Sequence, residues 1–210
     1  MSQVLDTDQM DFASQMCSRL CHDLISPVGA IANGLEILAD EDDPDMQKQV
    51  IDLLNQSVQV TSAKLRFFRM AFGAPGGMEG NVDTREMRSA VSDFMQAGKT
   101  SLNWQISASQ LPKPHAKLIL IAAMICGDAL VRGGEVALSG SAEGGFMIEG
   151  AGDKVVIDEQ IVSLLDGAAV PTQHTSRYAP YILFVSLLKN LAIQHRLSVT
   201  DERIIVTIQP

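Results

Sequence analysis

The sequence carries no excess of positive charge. Lys and Arg number 16 against 25 Asp and Glu, a formal net charge of -9 over 210 residues. Phosphate backbones and anionic headgroups are gripped by clustered lysine and arginine, so nucleic acid and anionic membrane surfaces are not expected partners. A long apolar run is also missing. The longest, residues 118–126, falls far short of the roughly 20 residues that cross a bilayer. The opening MSQVLDTDQMD is acidic and has no basic segment followed by an apolar one, so no secretory signal is expected. Cysteine is scarce: Cys17, Cys21 and Cys126 are odd in number and form no C-x-x-C pair, which suits a reducing cytoplasm rather than a disulfide framework. Neither G-x-S-x-G nor H-E-x-x-H occurs. What remains is ordinary globular composition, 46% hydrophobic and 20% charged, at a length that suits one or two domains.

A boundary stands at GAPGGMEG, residues 73–80, a glycine-rich stretch with one proline. It separates an expected unit of residues 1–75 from a second of residues 81–210. In the first, apolar or small residues fall at Cys17, Cys21, Leu24, Val28, Ile31, Leu35 and Leu38, in alternating steps of four and three. That is a heptad seam on one helix. The acidic turn DEDDP at 40–44 ends it. A second helix over about 46–72 carries Val50, Leu53, Leu54, Val58, Thr61, Leu65, Phe68 and Phe72 on its seam. A short turn between two such helices makes an antiparallel hairpin. One hairpin buries its apolar face poorly, whereas two make a four-helix bundle, so a homodimer is expected. Cys17 and Cys21, spaced i, i+4, could face a metal, but cysteine is commonly buried and both fit the seam, which predicts core packing.

Past the boundary the periodicity predicts helices over 83–98, 114–132, 157–165 and 176–195. Strands are expected over 102–107, 135–139, 145–149, 197–200 and 203–208. Helices against a mixed or antiparallel sheet give an α+β class. His115, His174 and His195 are scattered without ligand spacing and read as solvated or structural.

The stretch CHDLISPVG, residues 21–29, poses the functional question. His22 follows a seam position, and one residue is a turn of about 100° on a helix, so the imidazole stands beside the seam on the solvent-facing flank. Ser26, Gly29 and Asn33 follow it at helical spacing; all are small, so another protein's helix could approach closely. Pro27 removes the backbone bond to residue 23, and proline inside a helix costs about 3 kcal/mol, so its presence calls for a reason.

His22-Asp-Leu-Ile-Ser-Pro27 resembles the H-box of two-component histidine kinases, H-[D/E]-L-x-x-P. The longer string HDLISPVGAIANGLEIL, residues 22–38, is closer still to the dimeric histidine phosphotransferases of the ChpT type, and the likeness covers essentially the whole chain. The resemblance implies that His22 is a phosphoacceptor, modified on Nε2, with Asp23 orienting the ring or tuning its basicity. It also implies a second domain of the GHKL type, the fold that binds ATP in histidine kinases. Overlaid on that pattern, the two asparagines of the N-box fall on Met124 and Asp128, and a thioether is no ligand for magnesium. The D-x-G-x-G turn falls on IEGAG, residues 148–152, with Ile148 where the adenine-binding aspartate stands. The lid region TQHTSRYAPY, residues 172–181, contains no glycine to cradle phosphate.

The expected domain is therefore GHKL-like without an ATP site, and the chain a relay between receiver-domain aspartates in a bacterial multistep phosphorelay. The receiver would bring its own Mg²⁺, so no cofactor is expected here. Receiver contacts are expected at Ser26, Gly29, Asn33 and Lys64, the last placed level with His22 by folding the hairpin, and at Arg177 and Tyr178, which replace the lid. The resemblance further implies a cytoplasmic homodimer serving cell-cycle or developmental regulators. A kinase with a diverged ATP site and a non-catalytic dimeric adaptor remain the alternatives.

Overall fold

A computed structural model describes residues 6–73, 77–167 and 176–209. Helix α1 spans Thr7–Asp40 and α2 spans Pro44–Ala71. Asp6 opens α1 with a capping box, its carboxylate accepting from the Gln9 amide at 2.8 Å while the Gln9 side chain accepts from the Asp6 amide. Asp43 caps α2 and Pro44 occupies its first turn, where a missing N–H costs nothing. The three residues between them force an antiparallel hairpin. Gly34 marks a close approach: a Cβ there would come within 2.8 Å of Leu54 Cδ2.

The rest of the chain alternates strand and helix: β1 Asn81–Asp83, α3 Thr84–Ala97, β2 Thr100–Ile106, β3 Gln110–Pro112, α4 Lys113–Ala129, β4 Gly134–Ser141, β5 Gly145–Ala151, α5 Glu159–Leu165, a 3-10 turn Ser176–Tyr178, α6 Ala179–Leu191, β6 Gln194–Val199 and β7 Arg203–Gln209. Five strands form one sheet in the order β2-β4-β5-β7-β6, with β2 and β4 parallel and the other neighbours antiparallel. The register lines up Trp104, Leu138, Ile148, Val206 and Leu197 in one row across all five strands. Against the sheet lies α4, whose residues 118–126 are all buried. The longest apolar run is thus a helix enclosed on all sides by protein, which is why it shows no polar face. The class is α+β, as expected.

The hairpin and the sheet share a core. Phe67, Phe68 and Ala71 at the end of α2 are buried against α3 and α4, and the Phe67 and Phe94 rings stack at 4.1 Å. Lys117 on α4 is buried, and its ammonium donates to the carbonyls of Ala71 and Gly73, satisfying acceptors that the end of α2 leaves without helical donors. Desolvation, with repulsion from Lys113 added, lowers the Lys117 pKa.

Three expectations change. The last helix stops at Leu191, not at 195: Ala192 takes φ 53°, its amide closes back onto α6, and the chain enters β6 at Gln194. The short antiparallel pair β1–β3 was not expected, because three-residue strands carry too little periodicity to register. Cys17 and Cys21 are exposed in the single chain rather than packed. The buried residues of α1 are Met16 and Gly34, with Leu20 against the main core, so the helix turns the heptad seam partly outward. Val28 and Leu35 on α1, with Leu53, Val58 and Leu65 on α2, are exposed.

Candidate functional site

His22 stands on the outer flank of α1 with 83% of its side chain exposed. Its Nδ1 lies 3.2 Å from Oδ1 of Asp23. The tautomer protonated on Nδ1 donates to that oxygen and leaves the Nε2 lone pair facing solvent. Asp23 itself is only 15% exposed, and its other oxygen, Oδ2, takes the Arg19 Nε–H at 2.7 Å. Both oxygens are thereby engaged, one by the ring and one by the guanidinium, so the carboxylate has little freedom to swing.

Pro27 acquires its reason here. Without an N–H it leaves the Asp23 carbonyl without a helical donor. The Lys64 ammonium, reaching across from α2, donates to that same carbonyl at 2.9 Å. Proline thus opens an acceptor that fixes a cation one helix away, beside the His-Asp pair. α1 runs on through Pro27 as one helix.

A cavity of about 190 Å³ lies between hairpin and sheet unit, with Arg19, Asp23, Lys64 and Asp128 on its polar side and Phe68 and Phe94 on its apolar side. Sequence reasoning passed over Arg19, although its i, i+4 spacing to Asp23 was a legible pairing signal. Arg19 also reaches Asp128 on α4, Nη2 to Oδ2, at 3.4 Å. Desolvation disfavours the Arg19 cation, but the carboxylates, Asp128 foremost, outweigh it and hold its pKa above the ordinary arginine value. Desolvation likewise raises the Asp128 pKa, opposed by Arg19. The Asp128 side chain keeps 38% of its surface open, so that desolvation is partial.

Ser26 and Asn33 are exposed, and Gly29 is half-buried with open space where a Cβ would stand, so nothing inside the chain demands a glycine there. Arg177 is exposed and pairs with Asp158 at 3.6 Å. Tyr178 is corrected as a surface candidate: it is 8% exposed, and its hydroxyl donates to Gln160 Oε1 at 2.8 Å, because the 3-10 turn packs it inward under α1. At the positions compared with an ATP site, Met124 and Ile148 are buried apolar residues. Gly150 and Gly152 have packing roles: a Cβ on the first would meet Ile204 at 3.0 Å, and on the second the Gly133 carbonyl at 2.6 Å. His195 is structural, its Nε2 against the Leu165 carbonyl and its ring edge-on to Phe184. The Nδ1 of His115 is buried without a partner. His174 and residues 172–175 of the lid region lie outside the described residues. Among the described residues no helix is long and apolar enough to cross a membrane, and no group of three His, Cys, Asp or Glu side chains is arranged to hold a metal.

Comparison with known proteins adds an independent line. The family model described as histidine phosphotransferase C-terminal domain matches residues 84–203. The chain is 36% identical over 176 residues to the protein phosphotransferase ChpT of Brucella abortus (strain 2308), covering 80% of this chain and 81% of that protein. It superposes on a solved structure of a bacterial phosphotransferase with a TM-score of 0.84 at 29% identity, covering 99% of this chain and 98% of the other.

Proposed function

The chain belongs to the histidine phosphotransferase family, and from that premise we propose that His22 accepts a phosphoryl group from one receiver-domain aspartate and delivers it to another. The observation that carries this reading is the pairing of an exposed ring with a held carboxylate: Nε2 is open, and Nδ1 lies against Asp23. In the first transfer the Nε2 lone pair forms the N–P bond, the O–P bond of the aspartyl phosphate breaks, and the receiver's carboxylate leaves. Positive charge develops on the ring, and Asp23 Oδ1 is set to stabilise it through the Nδ1 proton. In the second transfer a carboxylate oxygen of another receiver forms the O–P bond, the N–P bond breaks, and the neutral ring returns. Such transfer depends mostly on positioning and charge neutralisation.

Lys64, held at the Asp23 carbonyl, supplies positive charge beside the incoming phosphoryl group. The hairpin of residues 1–75 is the phosphotransfer unit, and residues 81–210 form the domain that braces it. Ser26, Gly29 and Asn33 receive the docking helix of the receiver, with Arg177 at the edge of the same surface, and Mg²⁺ comes with the receiver. A second copy covers the apolar face of Val28, Leu35, Ile51, Val58 and Leu65, completing a four-helix bundle in the cytoplasm.

The test is phosphoryl transfer from a labelled receiver domain to this protein, with His22→Ala and ATP alone as parallel reactions. Label on the wild type only, and only from the receiver, is expected. Label from ATP alone would make the chain a kinase, and no label from a panel of receivers would leave a dimeric adaptor.

A further inference from the structure

The Arg19 guanidinium touches two carboxylates that belong to different parts of the fold: Asp23 one helical turn ahead, and Asp128, 109 residues away on α4. We propose that Arg19 is a positioning residue that ties the orientation of the His22 ring to the docking of the sheet domain on the hairpin. The inference rests on the reading of His22 as phosphoacceptor.

Three observations carry it. First, the order of contacts is continuous: His22 Nδ1 to Asp23 Oδ1 at 3.2 Å, Asp23 Oδ2 to Arg19 Nε at 2.7 Å, Arg19 Nη2 to Asp128 Oδ2 at 3.4 Å. Second, the middle of the series is withdrawn from water while both ends are more open: Arg19 and Asp23 are 16% and 15% exposed, against 38% for Asp128 and 83% for His22. An i, i+4 ion pair on an open helix contributes little. A pair removed from water is different, because loss of one partner strands the other's charge. Third, Arg19 lines both the cavity beside Asp23 and Lys64 and a second one of about 230 Å³ that holds Asp128, Asp158, Arg177 and Tyr181. Its side chain, together with that of Asp128, therefore lies between the phosphotransfer face and the cavity toward Arg177 and Tyr181. Asp128, in the second N-box position, has an acceptor's work to do without nucleotide: it anchors the arginine.

Two consequences follow for the reaction. With Arg19 in place, Asp23 presents Oδ1 to the ring and its charge is neutralised before an anionic aspartyl phosphate arrives. Without it, the carboxylate turns freely and repels the donor. Loosening Asp128 weakens the same hold from the far end.

The experiment uses the full chain and two readouts. The first is the Nδ1–H to Nε2–H tautomer ratio of His22, read by nitrogen-15 NMR at alkaline pH, where the ring is neutral. The second is the rate of transfer from a phosphorylated receiver. Arg19→Ala is expected to lower the Nδ1–H fraction and to slow transfer roughly tenfold or more, the scale of a misoriented but intact reacting group. Asp128→Asn, nearly isosteric, is expected to shift both in the same direction by a smaller factor. Arg19→Lys is expected to restore part of each, and the Arg19→Ala/Asp128→Asn double variant to match Arg19→Ala alone, since the two act through one contact. An unchanged tautomer ratio in folded Arg19→Ala would overturn the proposal, as would additive losses in the double variant. If the wild type accepted no label at all, the reading of His22 would fall, while the tautomer ratio would still decide whether Arg19 orients the ring.

Discussion

The two ends of α2 have similar apolar patterning and opposite surroundings. Near its start and middle, Leu53 and Val58 are exposed in the single chain; toward its end, Phe67, Phe68 and Ala71 are buried against α3 and α4. The end of the helix is therefore part of a closed core, whereas its middle presents an apolar face with no cover from its own chain. Amphipathic periodicity states that a face must be covered and is silent about what covers it. The functional residues sit on the open side of this divide: His22 is exposed, while the residues that hold it, Asp23, Arg19 and Lys64, are partly or largely withdrawn toward the domain junction.

Substitutions can pull the two regions apart. The largest effect is expected from His22→Ala, which should abolish acceptance of phosphoryl label yet change the unfolding free energy from urea denaturation by no more than the small range typical of exposed sites, about 0.5 kcal/mol. A fall in stability comparable to a core substitution would show that the open and closed regions are not separable at that position. Next, Phe67→Ala in the closed part should cost about 3–5 kcal/mol, measured by urea denaturation, because it empties a buried site stacked on Phe94. Val58→Glu on the open part should do the converse. The monomer's fold should remain, and sedimentation should detect loss of the proposed dimer, since a charge would be forced into the interior of the proposed bundle. An unchanged dimer would mean that something other than a second copy covers this face. The smallest effect is expected from Lys64→Ala, roughly a tenfold slower transfer at unchanged dimer content, the value of one charge-assisted contact. A wild-type rate would remove Lys64 from the reacting surface.

Much of this molecule was legible in one dimension. The heptad steps announced α1 and α2, the acidic DEDDP turn announced the hairpin, and alternation announced β4, β5 and β7 close to their observed limits. The His-Asp-x-x-x-Pro spacing pointed to the proposed reacting position and raised the question of the proline. The lengths of the two helices and their short turn bring Lys64 level with His22, because antiparallel helices of known rise leave little freedom. Local features were missed where the signal is short or conformational: the three-residue strands β1 and β3, and the left-handed turn at Ala192 that ends α6 early.

The sequence by itself determined which segments are helical or extended, which faces are apolar, and where an exposed histidine meets an acid, since these follow from side-chain chemistry repeated at a fixed period within one segment. Only the tertiary structure decided the rest. It set the rotation of α1 that exposes Cys17 and Cys21, the burial of Tyr178, the pairing of Lys64 with the carbonyl that Pro27 leaves open, and the meeting of Arg19 with Asp128. Each of these depends on how one element docks against another distant in the chain, and docking is settled by the sum of many packing contacts rather than by any local pattern.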